Sequence, residues 1–198
     1  MIVGDFMKLF KEIEKQIKQN KKVVIAIDGP SASGKSTLGE LLQKKYDALL
    51  IHTDNYFLPL KRKTQKRLAE SGGNVDYERI MSEVMDKLNS DYLKSDYFNC
   101  VTDNLEERNT LKNKQVVIVE GVYAMHSSLI SYYTLKVFLE VDSVLQKNRI
   151  LARNGEKMLE RFLKEWIPLE NYYFQQESLK EKADMVINLT IQNYYALK

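Results

Sequence analysis

The stretch Gly29-Pro30-Ser31-Ala32-Ser33-Gly34-Lys35-Ser36-Thr37 constrains this chain more than any other. It reads G-x-x-x-x-G-K-[ST] and comes just after Val23-Val24-Ile25-Ala26-Ile27, a short apolar run rich in β-branched residues. Thr37-Leu38-Gly39-Glu40-Leu41-Leu42 then opens a helical pattern. Strand, glycine loop and helix start are together the setting of a phosphate-binding loop, and they argue against a chance glycine-rich turn. Glycines let successive backbone N–H groups turn inward around phosphate oxygens, and the helix adds its positive N-terminal end. In this reading Gly29, Ser31, Ala32, Ser33, Gly34 and Thr37 cradle the phosphates. Lys35 reaches the β- and γ-phosphates, and the Ser36 hydroxyl binds Mg²⁺.

Composition narrows the setting. The chain has 198 residues, 44% of them hydrophobic and 29% charged. That balance suits one globular domain, residues 1–198, with a real core. A net charge of +3 is too small to argue for nucleic acid, and the cluster Lys61-Arg62-Lys63 reads as a solvated face. Cys100 is the only cysteine, so no intrachain disulfide can form and a reducing cytoplasm is the expected compartment. No apolar run reaches the length of a membrane span, so no membrane association is expected. Acids and lysines interleave with the first apolar residues, which is unlike a secretory leader. Assembly into a homo-oligomer stays open.

Phe6, Leu9, Phe10, Ile13 and Ile17 recur at helical spacing and predict an amphipathic helix over about residues 5–19 that covers a sheet. The helix after the glycine loop is expected to run to about Tyr46. Ala48-Leu49-Leu50-Ile51-His52 is a second strand, and it leads into Thr53-Asp54-Asn55-Tyr56-Phe57. A carboxylate there, at the end of a strand beside the first, would face the phosphates as a catalytic acid–base group, whereas the plain alternative is a turn or cap. Ile80, Val84 and Leu88 predict a helix over about residues 77–88. Asp76 stands near its start, where an aspartate is a good N-cap. The aromatic stretch with Tyr92, Tyr97 and Phe98 reads as a small hairpin or lid, or as core. Gln115-Val116-Val117-Ile118-Val119-Glu120-Gly121 is a strand apolar enough for burial on both faces, with Glu120 at its end. Ser127 reads as a helix cap. Residues 135–141 form a further strand, and the next helix carries Arg149 and Arg153 on one face until Asn154-Gly155 interrupts it. A charged helix over about residues 156–165 carries Arg161, and Trp166-Ile167-Pro168 is expected to end it. Met185-Val186-Ile187-Asn188-Leu189 is the last strand. Strands alternating with helices predict an α/β fold: a three-layer, doubly wound, mostly parallel sheet with helices on both faces.

Glycine loop, Asp54 and Glu120 converge on one sheet edge, and Arg149, Arg153 and Arg161 bring positive charge. That is the equipment of phosphoryl transfer, although for each arginine a solvated helix face is the alternative.

On these residues the chain resembles the uridine kinase-like group of P-loop kinases, relatives of phosphoribulokinase and pantothenate kinase. The likeness runs from about Val23 to Leu189. It rests on the glycine loop, Thr53-Asp54-Asn55-Tyr56-Phe57, Asn74-Val75-Asp76, Glu120-Gly121-Val122-Tyr123-Ala124, Arg149, and Ala183-Asp184-Met185-Val186-Ile187-Asn188. The resemblance implies a P-loop NTPase fold, with ATP and Mg²⁺ as cofactors and a helical lid over about residues 149–165. It implies that Asp54 activates a nucleoside 5′-hydroxyl, that Asp76 holds ribose hydroxyls and that Tyr56 lines the acceptor pocket. It further implies that Ser36 and Glu120 hold Mg²⁺, with Arg149 and Arg153 as the lid arginines. Two segments depart from the group's pattern. The base-reading Tyr-x-Phe-x-x-His is replaced by Phe98-Asn99-Cys100-Val101-Thr102-Asp103, without the histidine, and Pro-Arg-Gly-Gly after the last strand is replaced by Leu189-Thr190-Ile191-Gln192-Asn193. The expected activity is an ATP-dependent kinase for a small hydroxyl-bearing metabolite, a uridine-like nucleoside first. The alternatives are a same-fold kinase for a pantothenate-like or sugar-phosphate acceptor, and a P-loop ATPase acting as a nucleotide-binding switch.

Overall fold

In chain order the elements are α1 (Ile2–Lys18), β1 (Val23–Asp28), α2 (Lys35–Tyr46), β2 (Leu49–His52), α3 (Gln65–Leu68), α4 (Tyr77–Glu83), β3 (Tyr92–Leu93), β4 (Tyr97–Asn99), β5 (Asn104–Glu106), β6 (Leu111–Lys112), β7 (Val116–Glu120), β8 (Leu135–Val141), α5 (Ser143–Asn154), α6 (Glu156–Arg161), α7 (Ile167–Gln176), α8 (Leu179–Lys182) and β9 (Met185–Leu189). They come from a computed structural model that describes residues 2–19, 21–107 and 110–189. Thr190-Ile191-Gln192-Asn193, where the sequence departs from the kinase group, lies outside the described residues.

Five strands form one parallel sheet in the order β2-β7-β1-β8-β9. All six β1 residues are buried, which is why this run is apolar throughout instead of alternating. Its pleat still sorts them. Val23, Ile25 and Ile27 pack with Leu9 and Ile13 of α1 and Leu38 and Leu42 of α2. Val24 and Ala26 face the opposite layer, with Tyr56, Ile80, Tyr173 and Leu179. Helices therefore cover both faces, as the alternation of elements predicts. Two short antiparallel pairs, β3–β6 and β4–β5, stand off this sheet, so the aromatic stretch is a hairpin. Among the described residues no helix is long and apolar enough to cross a membrane.

Three expectations change. The helix expected over 77–88 ends at Glu83 and continues as a 3₁₀ turn, Met85–Lys87. No helix starts at Ser127, whose hydroxyl instead donates to Glu177 across 3.2 Å. Pro168 does not end the lid helix: α6 passes through a π-helical turn, Phe162–Trp166, into α7, with the proline in the first turn of α7. The Ile167 N–H reaches back five residues to the Phe162 carbonyl, and this wider π turn carries the run up to the proline. By contrast Gly155, with φ +78°, does interrupt the helical run after Asn154 as expected.

Leu9 and Ile13 are fully buried under the sheet, and each contributes roughly 1.5–3 kcal/mol by leaving water. Truncating Ile13→Ala should lower stability to urea by about 2–4 kcal/mol, the cost of a lost core side chain plus its cavity. A loss below about 1 kcal/mol would mean that α1 rests loosely on the sheet.

Candidate functional site

The glycine loop leaves the carboxyl end of β1, the central strand, where the crevice of an open parallel sheet lies. Gly29 has φ +141°, and a Cβ there would stand 2.2 Å from the Leu139 carbonyl oxygen of β8. Ala32 (φ +61°) and Gly34 (φ +101°) are also left-handed, so the loop coils its N–H groups toward one side. Lys35 is buried, and its ammonium donates to the Gly29 and Pro30 carbonyls, each 2.8 Å away. Ser33 is fully buried, and its hydroxyl finds no hydrogen-bond partner among the described residues.

Strand register brings the acidic groups to this edge. Glu120 of β7 lies opposite Ile27 on one side and His52 on the other. Only 3% exposed, Glu120 accepts from the Ser36 hydroxyl (3.3 Å) and contacts His52 Nδ1. Asp54 follows His52 by one short turn and projects into a cavity of about 660 Å³ that Lys35, Ser36, Glu120, Arg149 and Arg153 also line. Asp54 is exposed by surface area, although protein atoms surround it closely. That burial raises its pKa, Lys35 opposes the rise, and Glu120 adds to it.

A second set of residues grips the loop from behind. Asp28 has no solvent exposure and accepts from Gly29 N–H (2.6 Å), Met125 N–H (2.8 Å) and the Tyr173 hydroxyl (2.8 Å). Burial pushes its pKa up to about 6 against these donors. Glu170 of α7, 4% exposed, accepts both from Ser31 N–H at 2.9 Å and from the Ser31 hydroxyl. Gln146 donates to the Ser31 carbonyl (3.0 Å), and Arg149 donates to the Ala32 carbonyl (2.9 Å). Arg153 lines the cavity and bonds Asn154, whereas Arg161 pairs with Glu165 and lies 4.8 Å from the Trp166 ring, on the solvated face that was its alternative.

The remaining candidates sit deeper. Tyr56 is core: it is 1% exposed, its hydroxyl bonds Ser95, and the Arg79 guanidinium lies 5.0 Å from its ring. Asp76 caps α4 by accepting from Arg79 N–H at 3.3 Å, and it also pairs with Arg62. Neither lines the cavity. The β4–β5 hairpin leans toward the acidic edge, so that Asp54 raises the Cys100 pKa, an effect second to burial.

His52 and Asp28 carry a sequence signal, each being a polar residue that ends an apolar strand. Glu170, Tyr173 and Gln146 carry none, because their helix faces show no pattern that marks the loop as their neighbour.

The site suits the groups its motif implies. A buried, unpartnered Ser33 hydroxyl and a loop closed so tightly that Gly29 has no room for a Cβ fit a phosphate cradle. Among the described residues no three metal-ligating side chains cluster. Mg²⁺ at nucleotide sites takes only one or two protein ligands and keeps water and phosphate oxygens, so the Ser36 hydroxyl with Glu120 fits it.

Residues 24–161, more than half of the chain, match the Phosphoribulokinase / Uridine kinase family. The chain belongs to that family. The matched segment of this family member holds the glycine loop, Asp54, Asp76, Glu120, Arg149 and Arg153, and leaves out α1 and the α7 residues Glu170 and Tyr173. Among solved structures it is similar to a possible uridine kinase from Bacillus stearothermophilus, with TM-score 0.65 and 20% identity, covering 91% of this chain and 99% of the other. It is also similar to a candidate fructose transport system kinase from Silicibacter sp. TM1040, with TM-score 0.56 and 18% identity, covering 84% and 89%. At such identities the likeness speaks for the fold.

Asp28 makes a test by pH. Its folded pKa of about 6 lies above the usual 3.8. Between those values the folded state holds more proton than the unfolded one, so stability falls as pH rises through the window and levels off above it. In Asp28→Asn that dependence vanishes, whatever constant offset the amide introduces. The stability of Asp28→Asn relative to wild type should therefore climb from pH 4 to pH 6, by at most about 3 kcal/mol, and then stay flat. Urea titrations at a series of pH values measure it, and a flat difference throughout would mean that Asp28 is ionised normally.

Proposed function

We propose that this chain transfers the γ-phosphoryl group of ATP to a hydroxyl of a small metabolite, with the 5′-hydroxyl of a uridine-like nucleoside as first candidate. The observation that carries the reading is that Asp54, Lys35, Ser36 and Glu120 line one cavity, with the Ser36 hydroxyl on Glu120. Loop N–H groups and Lys35 hold the β- and γ-phosphates. Asp54 orients the acceptor hydroxyl and takes its proton as the new O–P bond forms and the bond from the γ-phosphorus to the β,γ-bridging oxygen breaks. Lys35 also keeps the Asp54 carboxylate available as a base by opposing the effect of burial. Arg149 and Arg153 meet charge on the transferring group from the α5 side. Ser36 and Glu120 would hold Mg²⁺, which when bound would supply charge neutralisation on the phosphates.

One observation favours a second acceptor class. Asp76, the ribose-holding candidate, is paired with Arg62. Lys61, Arg62 and Lys63 stand on the same loop, and Lys63 lies near enough to lower the Cys100 pKa. Such a cationic stretch suits an anionic acceptor such as a sugar phosphate.

Asp54→Asn keeps the shape but cannot accept a proton. It should bind ATP nearly as wild type does and turn over about 10²–10⁴-fold more slowly. Calorimetry beside steady-state turnover decides, and turnover within a few-fold of wild type would make Asp54 a turn residue.

ADP release should rise only when an acceptor is present. A screen of nucleosides, pantothenate and sugar phosphates, with product masses read by mass spectrometry, separates the acceptor classes. ADP release that no acceptor raises would favour the ATPase switch.

A further inference from the structure

The cavity that holds Lys35 and Asp54 does not end at the phosphate loop. It continues past Thr37 onto a wall made by Phe6, Met7 and Phe10 of α1 with Leu41 of α2. Met7 is 49% exposed and Leu41 48%. Phe6 and Phe10 are partly buried and rest on the core beneath the sheet. One site therefore has a polar end built for phosphates and a contiguous apolar end. Apolar side chains left open beside a charged cradle cost hydration free energy, and a patch of this kind marks a ligand's apolar part.

We infer that α1 supplies the base-binding wall of the nucleotide site: the base of the nucleoside triphosphate lies against Phe6, Met7 and Leu41 while its phosphates occupy the loop. This rests on the reading of the loop as a triphosphate site. Three features of the chain lead to it. First, the wall adjoins Thr37, the loop residue farthest from Gly29, so a nucleotide whose phosphates fill the loop can extend onto it. Second, the wall is fixed in place, because Leu9 and Ile13 anchor the same helix by full burial. Third, its chemistry suits a flat aromatic ring: Phe6 offers a π surface and Met7 a polarizable thioether. The Lys45 ammonium lies 5.3 Å from the Phe10 ring centroid, which leaves Phe6, Met7 and Leu41 as the surface that a base meets.

A consequence concerns donor choice. The wall's side chains present no hydrogen-bonding group, so they recognise the area of the base and not its edge. Hydrophobic surfaces discriminate weakly between molecules of equal size. ATP and GTP should bind within about tenfold of each other, and CTP, with its smaller ring, more weakly.

The test uses the full chain with Mg²⁺ and compares ATP, GTP, CTP and inorganic tripolyphosphate by calorimetry, on wild type, Met7→Ser and the double variant Phe6→Ala, Met7→Ser. The double variant should weaken ATP by about 10- to 100-fold, the scale of one lost base-stacking surface, and leave tripolyphosphate unchanged. Met7→Ser, at a half-exposed position, should weaken it by a smaller factor in the same direction. A second readout needs no variant. In wild type, ATP should slow oxidation of Met7 by peroxide several-fold, while tripolyphosphate should not. If tripolyphosphate binds but neither variant weakens ATP and Met7 stays unprotected, the wall is overturned and the phosphate reading stands. A preference for ATP over GTP beyond about 100-fold would also overturn it. If wild type binds neither ATP nor tripolyphosphate, the loop reading and the wall both fall.

Discussion

Asp28 ends the central strand with no contact with solvent, and its carboxylate is held by three donors from three parts of the chain. Gly29 begins the phosphate loop, Met125 belongs to the turn after β7, and Tyr173 belongs to α7. A carboxylate taken out of water is costly unless such donors meet it, so the positions of all three segments are tied to one buried point. The tie places α7 where Glu170 reaches Ser31. The phosphate loop is thereby gripped from below by its own strand and from the side by two helices, α5 through Gln146 and Arg149 and α7 through Glu170. A loop so held need not reorganise when charge develops on a ligand, and this is the property electrostatic stabilisation requires.

The same edge carries an unusual density of acid. Burial raises the pKa of Asp28, Asp54 and Glu170, Lys35 opposes the rise in all three, and Asp54 adds to it in Glu170. Glu120 is paired to the Ser36 hydroxyl and His52. Inside a cleft, where the effective dielectric is low, these charges interact strongly and are balanced by few cations. In the proposed reaction the balance has two uses. Lys35 is shared between the phosphates and the carboxylates, which couples phosphate occupancy to the readiness of Asp54 as a base. A second use is that Glu170, by taking the Ser31 N–H and hydroxyl, leaves the other loop N–H groups to the phosphates.

Much of this was legible in the residues because it is local. A glycine loop between an apolar run and a helical pattern needs no distant contact to be read. The strand end at Glu120 and the turn after β2 that carries Asp54 follow from where apolar runs stop, and Gly155 interrupts a helix by its own backbone freedom. Where the structure departs from a local signal, neighbouring elements decide. Pro168 resembles a helix end, yet a π-helical turn before it, with the Ile167 N–H on the Phe162 carbonyl, lets the chain continue. Ser127 resembles a cap, yet its hydroxyl goes to Glu177, fifty residues away. Asp76 fits both a cap and a ribose ligand in the sequence. Folding supplied the cap and added Arg62, a partner from a loop with no periodic pattern.

The amino-acid sequence by itself determined the phosphate loop, the parallel α/β order and the two carboxylates beside the loop, because each depends on residue type and on spacing within a few positions. Only the tertiary structure decided which residues hold the loop and what lies beyond it. Asp28, Gln146, Glu170 and Tyr173 meet through contacts spanning up to 145 positions. The aromatic end of α1 reaches the cavity because Leu9 and Ile13, on the same apolar side of the helix, are buried on the sheet. Helical periodicity shows that a helix has an apolar side, but the three-dimensional packing fixes what the rest of that side faces.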